Sequence, residues 1–135
     1  MHKNKLIIKI LRLGVEKMEK IKVLHIVSCL DVSSGVMSFI MNYYRKINRE
    51  KVQFDFIYFL DNQKKTYKDE ITHLGGSCYF LPKPSIRSYG IYKEFFKKNS
   101  SRYKVVHLHE VYLNSIILPL AKKYGIKHLI SHAHA

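Results

Sequence analysis

Short runs of β-branched and aromatic residues alternate with amphipathic stretches along most of this chain, and this alternation constrains the fold more than any single motif. The runs of strand character cover residues 22–28, 52–60, 77–82, 104–110 and 126–134. The stretches of helical character cover residues 34–47, 66–74, 89–99 and 114–125. Strands that alternate with helices in this way predict parallel strands joined by right-handed crossovers. The sequence therefore predicts an α/β fold with a doubly wound parallel sheet, whose ligand crevice lies beyond the carboxyl ends of the strands.

The overall composition is that of one globular domain. Of the 135 residues, 47% are hydrophobic and 13% aromatic, which is enough for a buried core in spite of a net charge of +14. The two cysteines, Cys29 and Cys78, are too few and too far apart for a disulfide framework or a cysteine zinc site. The longest apolar run, 116–121, is far shorter than the ~20 residues of a membrane-spanning helix. These features predict a globular protein of the cytoplasm.

Residues 1–20 differ in character from the rest of the chain. Leu6, Ile7, Ile10 and Leu11 lie at helical spacing among lysines and an arginine, which is typical of a short basic amphipathic helix at a membrane surface. An alternative is a plain extension outside the domain. In either case we expect a basic amphipathic extension over 1–20 and an incomplete Rossmann-like domain over 21–135.

The loop after the first predicted strand is a candidate ligand contact. Ser33, Ser34 and Gly35 come directly before a helix, where free amides and the helix dipole favour a phosphate or a sugar hydroxyl. The same residues also suit an ordinary helix cap and tight turn. The sequence contains neither GxGxxG nor GxxxxGK[ST], so it gives no support to a dinucleotide-binding or P-loop protein.

Histidines mark the ends of the fourth and fifth predicted strands. His107 and His109 are two residues apart and therefore point to the same face, with Glu110 following them. His132 and His134 end the next strand. One interpretation is a hydrogen-bonding or acid/base group with a pKa near neutrality. The others are a metal site built on the HxH pair and a structural pair without chemistry.

Four segments together resemble a known family more specifically than any of these motifs does alone. They are KVLHIVSCLDVSSGVMSFIMNYYRKI, KVQFDFIYF, ITHLGGSCYFLP and YKVVHLHEVYLNSIILPLAKKYGIKHLISHAHA. In amino-acid sequence, order and spacing, these segments resemble the N-terminal, acceptor-side domain of family 4 glycosyltransferases. These enzymes have the two-domain GT-B fold and build bacterial capsules and exopolysaccharides. The resemblance extends from Ile21 to the end of the chain.

The resemblance implies retaining transfer of a hexose from a nucleotide-sugar to a polysaccharide or lipid-linked acceptor, with no cofactor and no metal. It implies that His109 is the catalytic residue near the transferred sugar. The implied substrate-binding residues are Ser34, Gly35, Glu110, His132 and His134. Ser34 stands where the family often has a glycine.

Members of that family are two to three times as long as this chain and have their donor-binding residues in a second domain. The resemblance therefore implies a truncated protein or one half of a split enzyme, with the C-terminal donor domain absent. We expect such a chain to be inactive alone.

The excess of basic residues favours an anionic partner. The stretch 89–99 presents Lys93, Lys97 and Lys98 between aromatic residues, which suits either peripheral contact with the inner face of an anionic membrane or a solvated helix over the core. Two alternative functions are a metal-dependent hydrolase that uses the HxH pair and a basic nucleic-acid-binding module. The sequence has no RNP-like, zinc-finger or helix-turn-helix pattern and its aromatics fall at core spacings, so we expect no nucleic-acid partner.

Overall fold

In the computed structural model, which describes residues 4–9 and 20–134, the five predicted strands and four predicted helices are all present. The strands are β1 (Ile21–Val27), β2 (Val52–Tyr58), β3 (Cys78–Phe80), β4 (Val105–Leu108) and β5 (His128–Ser131). The helices are α1 (Gly35–Lys46), α2 (Lys68–His73), α3 (Tyr89–Asn99) and α4 (Asn114–Lys123). The strict alternation of strand and helix confirms the α/β class predicted from the sequence.

The strands form one sheet in the order β3-β2-β1-β4-β5, with every neighbouring pair parallel. The chain first winds from β1 outward to β3 and then returns to the other side of β1 to add β4 and β5. The loops that leave β1 and β4 therefore diverge from adjacent strands. Such a switch point is where doubly wound sheets hold their ligands.

Helices cover both faces of the sheet, which makes the fold Rossmann-like. One hydrophobic cluster joins the sheet to α1 and α2 through residues such as Met37, Met41 and Ile71. The other joins the opposite face to α3 and α4 through residues such as Phe96 and Ile117. Because successive strand side chains alternate between faces, buried parallel strands need apolar residues in nearly every position.

Two glycines end helices where the sequence predicts it. Gly75 follows α2 and Gly125 follows α4, and both have positive φ angles, +97° and +93°. That region of backbone space is strained for residues with a Cβ atom, so glycine is favoured directly after a helix.

The structure differs from the sequence prediction in the lengths of strands, at both sheet edges and in β4, which ends at Leu108 and leaves His109 and Glu110 beyond it. β3 has three residues and β5 has four, so that His132 and His134 lie just beyond the end of β5. An edge strand has a partner on one side only, and its ends lose ladder hydrogen bonds first.

The basic helix α3 keeps its aromatic residues inside. Tyr92, Phe95 and Phe96 are buried in the core, whereas Lys93, Lys97 and Lys98 are exposed. The aromatic residues of this helix therefore belong to the core, and the lysines form a solvated face.

Part of the predicted extension lies in the described portion of the chain. Residues 4–9 are helical and expose Leu6, Ile7 and Ile8, while residues 1–3 and 10–19 lie outside the described residues. Among the helices described, none has the length and apolar character needed to cross a bilayer.

Candidate functional site

The carboxyl ends of β1 and β4 place a helix terminus and a group of histidines on the same side of the sheet. The loop after β1 leads into α1, and Ser34 caps that helix by accepting a hydrogen bond from the Met37 amide through its Oγ atom, at 3.2 Å. A cap is thus the role that the structure assigns to Ser34. The amides of Gly35 and Val36 belong to the first turn, whose N–H groups have no partner inside a helix.

Three histidines share the face of the sheet that α1 covers in part. His25 in β1 lies directly opposite His107 in β4, and His109 follows on the same face one residue past β4. The sequence prediction that His107 and His109 point the same way is consistent with this register. His25 is the residue that the sequence analysis missed, because it stands between apolar residues in the middle of β1. A histidine in the middle of the apolar run 23–27 was the available signal.

Hydrogen bonds link three imidazoles into a row. Nδ1 of His25 lies 2.9 Å from Nε2 of His109, and Nδ1 of His109 lies 2.8 Å from Nε2 of His134. His25 and His109 are only 4% and 5% exposed. Both ring nitrogens of His109 are therefore engaged, one toward the core and one toward the end of β5. We call His25, His107, His109, His132 and His134 the histidine ladder.

Stacking completes the ladder. The ring of His107 stacks on His109 with centroids 4.0 Å apart and on His132 at 5.5 Å, and His132 stacks on His134 at 4.1 Å. Phe39, one turn into α1 from Gly35, lies edge-on to His132 and His134 at 6.3 and 6.4 Å. The start of α1 and the predicted histidines thus belong to one neighbourhood.

The buried members of the ladder, His25, His107 and His109, are uncharged at pH 7. Burial lowers the pKa of His109 to about 3, and repulsion from the neighbouring histidines adds to this effect. The pKa of His107 is lowered to about 4, again mainly by burial, and that of His25 is lowered as well. The near-neutral pKa expected from the sequence is therefore wrong for His107 and His109. Neutral imidazoles can donate and accept hydrogen bonds but are poorly suited to general acid chemistry.

Glu110 directly follows His109 in the chain. It is partly buried and precedes a short 3-10 turn at Val111–Leu113. Burial raises the pKa of Tyr112, and the Glu110 carboxylate adds to this effect. For His134, burial and His132 lower the pKa, and the Glu110 charge partly opposes them. The carboxylate is thus close enough to influence the outer end of the ladder.

A groove of about 240 Å³ separates α1 from the histidines. Phe39 and Tyr43, which are 47% and 57% exposed, form its helix side together with Ile40. His25 and His107 line its floor, and each has a buried Nε2 atom without a hydrogen-bond partner among the described residues. The groove is therefore apolar with unused polar atoms at its base.

The histidines also form two groups whose nitrogen atoms converge as metal ligands do. One group is His25, His107 and His109, and the other is His109, His132 and His134. Within each group one nitrogen of every residue lies within 4.8 Å of the others. His109 belongs to both.

Comparison with known proteins shows a likeness in sequence and a likeness in fold. No family model matches the chain. Over 116 residues, 84% of its length, it is 28% identical to the Bacillus subtilis (strain 168) protein named "Putative glycosyltransferase EpsF", and it spans 30% of that protein's length. Its fold is similar to the crystal structure of the C-terminal domain of PF1911 hydrogenase from Pyrococcus furiosus, with a TM-score of 0.54, 13% identity, and coverage of 87% of this chain and 95% of the other. That second likeness concerns the fold alone.

Proposed function

We propose that this chain is the acceptor-side domain of a retaining GT-B glycosyltransferase that moves a hexose from a nucleotide-sugar to a polysaccharide or lipid-linked acceptor. The observation that carries the proposal is the position of His109 and the start of α1 at the switch point between β1 and β4. The 28% likeness to a protein named as a glycosyltransferase supports it.

In this proposal the two parts of the site recognise different chemical groups. The first-turn amides of α1, at Gly35 and Val36, are suited to a phosphate or a sugar oxygen. The Nε2 atom of His109 stays hydrogen-bonded to His25. Its Nδ1 atom binds a sugar hydroxyl that replaces His134 as the hydrogen-bond partner. A neutral imidazole in this position stabilises the transferred sugar by hydrogen bonding and leaves proton transfer to other groups. Glu110, His132 and His134 form the adjacent wall.

Two further parts of the proposal concern location and completeness. The exposed Lys93, Lys97 and Lys98 of α3 would hold the protein peripherally on an anionic cytoplasmic membrane surface, with about 1 kcal/mol from each lysine at the surface. We also propose that these 135 residues alone do not complete the transfer, because the cleft of a GT-B enzyme lies between two domains and the chain spans 30% of its relative.

Acceptor binding can be tested on the chain itself by amide NMR. Titration with a short polyprenyl-diphosphate-linked saccharide should shift the signals of residues 33–36, 109–110 and 132–134. Ser34→Asp keeps a helix cap but adds a negative charge, so it should weaken binding of the diphosphate while Ser34→Thr leaves it intact. Shifts confined to other surfaces, or equal binding by both variants, would count against the proposed site.

Transfer requires a second domain, and a fusion to the C-terminal part of the Bacillus subtilis relative supplies one. In this fusion we expect His109→Gln to lower kcat/KM by about 100-fold, because the glutamine amide reaches the position of Nε2 but not that of Nδ1. His109→Asn, whose amide replaces Nδ1, should retain more activity. The matched control is His128→Gln, an exposed histidine on β5. Turnover by the unfused chain, or full activity of His109→Gln, would contradict the proposal.

A further inference from the structure

Three imidazoles from two segments of the chain converge beyond the carboxyl ends of β4 and β5. They belong to His109, His132 and His134, and one nitrogen of each lies within 4.8 Å of the other two. The segment after β5 stays beside β4 because the His132 amide donates a hydrogen bond to the Leu108 carbonyl, at 2.9 Å. Backbone pairing therefore holds two of the three side chains next to the third.

One pair of nitrogens in this group lies close to the spacing of two histidine ligands on a metal ion. Zinc binds histidine nitrogens at 2.0–2.1 Å, and tetrahedral geometry then separates two such nitrogens by about 3.4 Å. Nδ1 of His109 and Nε2 of His134 are 2.8 Å apart as hydrogen-bond partners. A shift of a few tenths of an ångström in each ring would exchange that hydrogen bond for two bonds to one ion.

The neighbouring residues already orient the rings for this purpose. An ion on Nδ1 of His109 requires the proton to be on Nε2, which then donates to Nδ1 of His25 across 2.9 Å. Histidine ligands in metal sites are typically fixed by such a hydrogen bond from the second ring nitrogen. The ring of His107 stacks on His132 at 5.5 Å with an interplanar angle of 12°, and this contact restricts the second ligand.

We propose that His109, His132 and His134 bind one Zn²⁺ ion. Imidazole is a preferred ligand of zinc, and three protein ligands leave a coordination position for water or for an oxyanion such as phosphate. The inference rests on the convergence of three imidazoles and not on the proposed transferase function. If both are correct, the ion and the sugar compete, because both use Nδ1 of His109.

The other group, His25, His107 and His109, is a weaker candidate. His25 is 4% exposed and already uses Nδ1 as the partner of His109, so an ion there would have to enter the buried part of the sheet. His109, His132 and His134 offer the same imidazole ligands, and an ion can reach them from beyond the ends of β4 and β5.

Metal binding can be measured on the untagged, EDTA-treated chain at pH 7.5, with Zn²⁺ for calorimetry and Co²⁺ as a spectroscopic probe. We expect one ion per chain with a Kd on the order of 1 µM or tighter, and intense visible Co²⁺ absorption typical of four-coordinate geometry. His132→Asn and His134→Asn should each weaken binding more than 100-fold. His25→Leu should weaken it about 10- to 100-fold and keep the Co²⁺ spectrum, as expected for a residue that orients a ligand.

The controls are His73→Asn and His128→Asn, which remove exposed histidines of α2 and β5. Circular dichroism and urea unfolding establish that each variant is folded. Failure of the folded wild-type chain to bind Zn²⁺ at 100 µM would overturn the proposal. So would equal losses of affinity in the controls and the ligand variants, or a Co²⁺ spectrum that His25→Leu abolishes while His134→Asn preserves it.

Discussion

The histidine ladder should make the fold unusually sensitive to mild acid. His109 titrates at its ordinary pKa of 6.5 in the unfolded chain and at about 3 in the folded protein. Below pH 6.5 His109 is therefore protonated in the unfolded chain and stays unprotonated in the folded protein. The free energy of unfolding consequently decreases as the pH falls from 6.5 toward 3. At pH 5 the contribution of His109 amounts to about 2 kcal/mol. This loss is a substantial part of the stability of an ordinary domain.

The measurement is urea unfolding at pH 7 and pH 5, in buffers containing EDTA, for the wild type and for His109→Gln. Glutamine removes the titrating ring and can still bond to His25. We expect the wild type to lose about 2 kcal/mol more than the variant between the two pH values. In the His109→Gln variant the remaining histidines repel each other less, so the variant loses still less stability at pH 5 than the wild type. Glu110 affects only the outer end of the ladder, through His134.

His128→Gln provides the control, since His128 is exposed on β5 and lies outside the ladder. It should follow the wild type at both pH values. Equal losses in the wild type and in His109→Gln would refute the reasoning, because they would mean that His109 is as accessible to protons in the folded protein as in the unfolded chain.

Two further predictions concern stability and use the same urea assay. Gly76→Ala should destabilise the fold by about 1–3 kcal/mol, because a Cβ atom there would lie 2.5 Å from a backbone carbonyl oxygen. Gly90→Ala in α3 should stabilise the fold by about 1 kcal/mol, because a Cβ atom there meets open space. Equal effects of the two substitutions would contradict this reasoning. Asp55→Ala should cost about 4 kcal/mol, because the buried carboxylate accepts hydrogen bonds from the Ser77 amide at 2.9 Å and the Tyr103 hydroxyl at 2.6 Å. Asp55→Asn keeps one acceptor and should cost about half as much, and a smaller effect of Ala than of Asn would show that these bonds contribute little.

The strand and helix order could be predicted because the pattern of each element is local. Buried parallel strands appear as nearly continuous apolar runs, and the helices between them end at glycines such as Gly75 and Gly125. The lengths of β3 and β5 could not be predicted in the same way. How far an edge strand stays paired depends on its neighbour, and the side-chain pattern does not record that.

The candidate site was predictable only in part. Strand periodicity brings His107 and His109 to one face, and parallel pairing brings the end of β5 beside them. The pairing of His25 with His107 depends on the sheet order, which places β1 next to β4. The near-neutral pKa expected from the sequence for His107 and His109 was wrong, because the residues that bury these side chains are distant in sequence. His109, assigned to the crevice from its position at the strand end, is more deeply buried than His107.

Under the proposed function, the neutrality of the buried histidines divides recognition between two parts of the site. The uncharged imidazoles of His25, His107 and His109 attract no diphosphate through net charge, so under the proposed function the anionic part of a substrate has to be held by other groups. The start of α1 has free amides and the positive end of a helix dipole, and it lies one turn from Phe39, which contacts His132 and His134. The imidazoles are suited to hydroxyl groups, which need directional hydrogen bonds and no charge. Substitutions that weaken the anion contact in the first turn of α1 should therefore make binding less dependent on salt, while substitutions in the ladder should change discrimination among sugars with different hydroxyl patterns.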